Sequence, residues 1–175
     1  MAGHIVIGID PGVSGGIAWI DCDKPREFGT ECRRMPDTEH GVAVLLAGIV
    51  EDSCESITAY IERVHSSPQM GVSSAFTFGR GYGLLLGLLL AHRVRINDIT
   101  PGTWQKAMGL VQRGKGNTIA GADRAEHTKA KKLANKEKAG NLFPWIKVTN
   151  YVADALLIAE YGVRLSDPTG LDRPW

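Results

Sequence analysis

Two short apolar runs, far apart in the chain, each end in a single carboxylate: Ile5-Val6-Ile7-Gly8-Ile9-Asp10 and Ile57-Thr58-Ala59-Tyr60-Ile61-Glu62. Runs of this length, rich in β-branched residues, read as buried strands. Gly15 to Asp21 follows the first at hairpin distance and reads as its antiparallel partner. A third acid, Asp154, stands near the start of the last helix, in Ala153-Asp154-Ala155-Leu156-Leu157. If the two strands are neighbours, their C-terminal ends set Asp10 and Glu62 side by side, and the last helix can bring Asp154 against them. Any one of these acids alone reads as a solvated turn residue, Asp10 before Pro-Gly above all. Three at element ends point to a shared site.

Carboxylates that converge repel one another unless a divalent cation joins them, which predicts Mg²⁺ or Mn²⁺. Two such ions roughly 3.5–4 Å apart can activate a water and stabilise a leaving oxygen in phosphodiester hydrolysis.

The rest of the chain supplies an α/β scaffold with a mixed sheet. A weaker strand is expected over 28–35. A helix follows, capped by Asp37 or Thr38 and carrying Val42, Leu45, Leu46, Ile49 and Val50 at helical spacing. Residues 65–75 read as a loop, 76–92 as a helix and 94–99 as a strand. Pro101 suits the first turn of a helix through Leu110. Residues 112–123 read as a Gly-rich loop, 124–138 as a basic helix, and Val152, Leu156, Ala159 and Val163 as the core stripe of the last helix. The length of 175 residues suits one domain spanning 1–175.

Formal net charge is only +1, so any charge that meets nucleic acid must be local. It is: Gln112 to Lys138 holds eight basic and three acidic residues. Arg113, Lys115, Arg124, Lys129, Lys131 and Lys132 are candidate phosphate contacts. Phe76 and Phe78 lie soon after Glu62 and are candidates for stacking on an unpaired base. The helix through Leu84 to Leu90 is apolar on nearly every face, with Gly79, Gly83 and Gly87 at every fourth position. That pattern asks for a second covering surface, and a homodimer supplies one.

Cys22, Cys32 and Cys54 have no zinc-ligand spacing and do not form a disulfide framework. His65 and His127 lack ligand spacing too. The most apolar run, Leu84 to Ala91, is shorter than the roughly 20 residues of a membrane span. With no signal-peptide pattern at the N-terminus, no membrane association and a cytoplasmic location are expected.

The segments around the three acids resemble the RuvC family of the RNase H-like superfamily. Ile7-Gly8-Ile9-Asp10-Pro11-Gly12 with Gly16 is similar to its opening strand and hairpin, and Ala59-Tyr60-Ile61-Glu62-Arg63-Val64 to its second acidic strand. Phe78-Gly79-Arg80-Gly81-Tyr82-Gly83 resembles the helix that follows, and Ala153-Asp154-Ala155-Leu156 the closing motif. Thr103-Trp104-Gln105-Lys106 and Leu142-Phe143-Pro144 look more like the phage-encoded branch. The resemblance covers nearly the whole chain. It implies an RNase H-like fold: a mixed five-stranded sheet, an N-terminal antiparallel hairpin and helices on both faces. It also implies a dimer that resolves four-way DNA junctions by paired nicks using Mg²⁺ or Mn²⁺, with a basic residue, Lys129 or Lys132, reaching the scissile phosphate.

One position departs from the family. An Asp or His usually stands three or four residues before the closing Asp; here those positions hold Tyr151 and Asn150. Asn150 shares a helix face with Asp154 if the last helix begins near Thr149. It would then be a neutral fourth member of the metal site, and an Asp there would strengthen metal binding. Asn150 also admits a catalytically impaired junction-binding protein. A further alternative is an actin-like or sugar-kinase-like ATP-binding protein, since Ile9 to Gly16 resembles their first phosphate loop. Those proteins need two such lobes, so no nucleotide cofactor is expected.

Overall fold

The computed structural model describes residues 4–51, 56–63, 71–110 and 122–166; of residues 122–125 and 127 only the backbone is described. Arg113, Lys115, His65 and Cys54 lie outside the described residues, as does most of the loop expected over 112–123.

The chain forms β1 (His4–Asp10), β2 (Gly16–Asp21), a short α1 (Arg26–Gly29), β3 (Thr30–Arg34), α2 (Glu39–Glu51) and β4 (Ser56–Glu62). It continues through α3 (Val72–Ala91), β5 (Arg95–Ile99), α4 (Pro101–Ala107), α5 (Ala122–Leu142) and α6 (Ala153–Ser166). The sheet order is β3-β2-β1-β4-β5. β1 and β2 pair antiparallel, as do β2 and β3, whereas β4 runs parallel to both β1 and β5. This is the expected mixed five-stranded α/β architecture, with its N-terminal hairpin and helices on both faces.

Several boundaries differ from the expectation: α4 ends at Ala107 rather than Leu110, and α5 runs from Ala122 to Leu142 rather than over 124–138. Phe28, placed in a strand by its apolar character, lies in α1 and is 76% exposed. α3 starts at Val72, four residues earlier than expected, because Ser73, Ser74 and Ala75 continue the helix N-terminally from Phe76. The extension also revises the membrane expectation: at 20 residues α3 is long and apolar enough to cross a membrane by length and composition. In this fold it lies against the sheet, with Leu85 and Leu89 in the core.

Strand alternation divides the core into two layers. Val6, Ala18, Ile20 and Tyr60 face α4, α5 and α6, packing on Trp104, Ala139, Leu156 and Ala159. Ile7, Ile9, Ile17, Ala59 and Ile61 face α2 and α3, packing on Val42, Leu46, Ile49, Leu85 and Leu89. α6 is the central helix, with nine of its residues buried. It approaches β1 so closely that a Cβ at Gly8 would lie inside the α6 backbone at Ala155 and Ala159. Only glycine permits that contact.

Candidate metal centre

Alternation also decides where the acids point. Asp10 follows Val6 and Gly8 in parity on β1, and Glu62 follows Thr58 and Tyr60 on β4, so both belong to the α6 side. Register does the rest. β1 and β4 are aligned through Ile9 and Ile61, and one residue further along the parallel pair come Asp10 and Glu62. Asp154 lies in the first turn of α6, at the same end of the sheet.

The electrostatics confirm the convergence. Burial pushes Glu62 up to about 7, and the charges of Asp10 and Asp154 push the same way. Asp10 is raised by burial and by Asp154; the Gly12 N–H and Lys132 oppose the shift. Asp154 is raised by burial, against the Asn135 hydrogen bond and the charges of Lys131 and Lys132. Three partly buried carboxylates therefore share one end of the sheet, and each resists ionisation.

Each acid is held by a different neutral donor. The Gly12 N–H donates to Asp10 Oδ1 at 3.1 Å, within the β1–β2 turn. Gly15 in that turn leaves room for the carboxylate, since a Cβ there would come within 2.6 Å of the Asp10 Cγ. Trp104 Nε1 donates to Glu62 Oε1 at 2.9 Å. That indole is fully buried on α4, whose start is fixed by Pro101 and by Thr100 accepting from the Thr103 N–H. Asn135 Nδ2 on α5 donates to Asp154 Oδ1 at 2.8 Å.

Among the described residues, no three His, Cys, Asp or Glu side chains stand at ligand spacing around one point. The carboxylates are within electrostatic range of one another but not closed on a common centre. Each carboxylate is instead engaged by its own donor. The donor chemistry nonetheless suits a hard divalent cation: all-oxygen, anionic and partly desolvated.

Of the other sequence candidates, Lys129, Lys131 and Lys132 are exposed on α5, and Lys131 and Lys132 are the two whose charge reaches the carboxylates. Arg124 lies in α5 without a described side chain. Phe76 is 71% exposed. Phe78 lines a cleft of about 620 Å³ with Pro11, Val13, Met35 and Leu84, next to the Asp10 turn. Gly79, Gly83 and Gly87 lie on the open side of α3, with nothing within 4 Å of an added Cβ.

Asn150 is exposed in the turn before α6, which the Ala153 N–H closes onto the Thr149 carbonyl at 3.1 Å. The amide at Asp154 is that of Asn135. Sequence reading missed both Asn135 and the role of Trp104. Asn135 had a signal: it lies four residues before the buried Ala139, a polar residue at a core position of α5.

No protein-family model and no curated protein matches the chain. Solved structures do. Thermus thermophilus RuvC in complex with a Holliday junction substrate superposes with a TM-score of 0.56 at 14% identity, covering 94% of this chain and 97% of that one. A second Thermus thermophilus RuvC structure gives a TM-score of 0.51 at 14% identity, over 93% and 96% of the two chains. Together with the sheet order and the paired helix layers, these matches show that the chain has the RuvC-like form of the RNase H-like fold.

Proposed function

We propose that the protein is a divalent-metal-dependent endonuclease that resolves four-way DNA junctions by paired nicks, acting as a homodimer. The observation that carries the reading is the meeting of Asp10, Glu62 and Asp154, from three separate elements, at one sheet end beside Lys131 and Lys132. Asp10, Glu62 and Asp154 would hold Mg²⁺ or Mn²⁺, two ions per site, and such ions supply an activated water and charge stabilisation for phosphodiester cleavage.

The chain's own groups have distinct tasks. Lys131 and Lys132 offset the acidic cluster and offer a landing place for a phosphate, so that an anionic backbone can approach anionic carboxylates. Lys129 extends that positive face along α5, and the basic residues Arg113, Lys115 and Arg124 belong to the same segment of sequence. The Trp104 indole holds the Glu62 carboxylate in place and excludes water from behind it. Phe78, in the cleft beside the Asp10 turn, is the candidate for stacking on an unpaired base at a branch point, whereas Phe76 belongs to the exposed face of α3.

The dimer reading rests on α3. Val72, Phe76 and Leu90 are largely exposed, and Gly79, Gly83 and Gly87 face open space that a second backbone could approach. Two copies are what paired nicks on a two-fold junction require.

The test is cleavage of a synthetic four-way junction in Mg²⁺ and in chelator, beside linear duplex, flap and three-way substrates. Asp10→Asn is expected to abolish cutting while leaving junction binding largely intact. Full activity in Asp10→Asn would sink the assignment. The separate engagement of each carboxylate favours a second reading, a junction-binding protein without cleavage. The same assay decides it, by binding without nicks in Mg²⁺.

A further inference from the structure

Asn135 is 2% exposed, and its amide nitrogen holds Asp154. Its amide oxygen is also buried, with no hydrogen-bond partner among the described residues. A buried carbonyl left without a donor is costly, so native proteins rarely leave one unless a ligand or ordered water meets it. Nitrogen and oxygen share one planar amide, so the orphaned oxygen lies in the immediate surroundings of the Asp154 carboxylate. Lys131 and Lys132 stand one turn earlier on α5, and their charge reaches the same cluster. The face of α5 that carries Asn135 is thus the face turned toward the acids.

We infer that Asn135 completes the metal centre: its nitrogen fixes the Asp154 carboxylate, and its oxygen is a neutral fourth oxygen donor to the divalent cation. Hard cations of this class take amide carbonyls alongside carboxylates. The inference rests on the metal-dependent reading above, and it assigns a neutral oxygen donor to the buried Asn135.

The probe is Mn²⁺ alone, titrated by calorimetry at pH 8 into the full chain and three variants, with circular dichroism and thermal melting in chelator as controls for folding. Asn135→Ala removes both groups and is expected to weaken Mn²⁺ binding at least tenfold. Asn135→Asp loses the donor but keeps an oxygen and adds charge. It is expected to bind Mn²⁺ at least as tightly as the wild type and to gain more melting temperature from the ion. Asn150→Ala is expected to stay within about twofold of wild type. A purely structural Asn135 predicts a different pattern, in which the Ala and Asp variants lose affinity together. That result, or unchanged affinity in both, overturns the inference while the wild type still binds Mn²⁺. Weakened binding in Asn150→Ala alone also overturns it. Should Asn135→Ala fail to fold, the Asp variant decides by its response to Mn²⁺. Absence of Mn²⁺ binding by the wild type removes the metal-dependent reading itself, and the inference with it.

Discussion

α6 and α3 are both apolar helices packed on the central sheet, yet they use their surfaces in opposite ways. α6 buries nine of its 14 residues against β1, β2 and β4, whereas α3 buries only Leu85 and Leu89 of its 20. Glycine marks the difference. Gly8 beneath α6 is there because the helix backbone already occupies the space of a side chain; Gly79, Gly83 and Gly87 on α3 face open space. One glycine records a contact already made within the chain, and three describe a surface with room for another. The side that is finished carries the acids, and the unfinished side is where we propose the second copy docks.

Substitutions that fill these glycines give the largest contrast. Gly8→Ala drives a methyl group into the α6 backbone, which cannot give way as a side chain can. A loss of about 3 kcal/mol or more is expected, roughly 10 °C in melting temperature for a chain of this size. Gly83→Ala and Gly87→Ala should each stabilise the helix by about 0.5–1 kcal/mol, since nothing within the chain opposes the new methyl. Thermal melts of the three variants make the comparison, and a mild effect from Gly8→Ala would break it.

Self-association sharpens the same contrast. Phe76→Asp combined with Leu90→Asp places charge on the open side of α3 without touching Leu85 or Leu89. We expect dimer affinity to fall at least about 100-fold, a loss of roughly 2.7 kcal/mol, with little change in monomer melting. Light scattering across micromolar concentrations measures it. A monomeric wild type, with and without junction DNA, would leave the exposed face of α3 unexplained by dimerisation.

Much of this organisation was legible in the sequence, for identifiable reasons. Asp10 and Glu62 were readable because strand alternation and parallel register depend on local pattern, which an apolar run with a terminal acid states plainly, and Asp154 because it opens the apolar stripe of the last helix. Pro101 at the start of α4 was readable because its fixed φ suits a first turn. Asn135 and Trp104 were hidden. Their meaning depends on which element packs against which, and nothing near Trp104 announces that its indole meets a carboxylate 42 positions earlier. The start of α3 was misjudged because Ser73 and Ser74 resemble loop composition.

The finished side also stores a charge conflict, and pH exposes it. Glu62 rises from 4.5 to about 7 on folding, so between those values the folded state holds a proton that the unfolded state has lost. Stability from this group is therefore present at low pH and declines as pH rises through about 7. Allowing for partial exposure, the decline is on the order of 2 kcal/mol, or roughly 4–8 °C between pH 5 and 8 in chelator. Asp10 and Asp154 shift in the same direction. Glu62→Gln should flatten the profile. Mn²⁺ at pH 8 should restore what deprotonation removes, because the cation binds the ionised carboxylates. The variants on α3 should leave the slope unchanged.

A smaller effect is expected from Trp104, and it separates a packing role from an electrostatic one. Trp104→Phe keeps a buried aromatic ring in the layer beside α6 but removes the N–H that meets Glu62 Oε1. That hydrogen bond favours the ionised carboxylate, so its loss should raise the affinity of Glu62 for its proton still further. Junction cleavage in Mg²⁺ should then fall about 3- to 10-fold near neutral pH, equivalent to roughly 1 kcal/mol, and recover toward wild-type rates above pH 8. A merely structural loss would lower the rate equally at every pH, because a loosened core does not distinguish protonation states. The pH–rate profile of single-turnover cleavage is the deciding measurement. A parallel downward displacement, with no shift along the pH axis, would reduce Trp104 to a core residue that happens to touch the site.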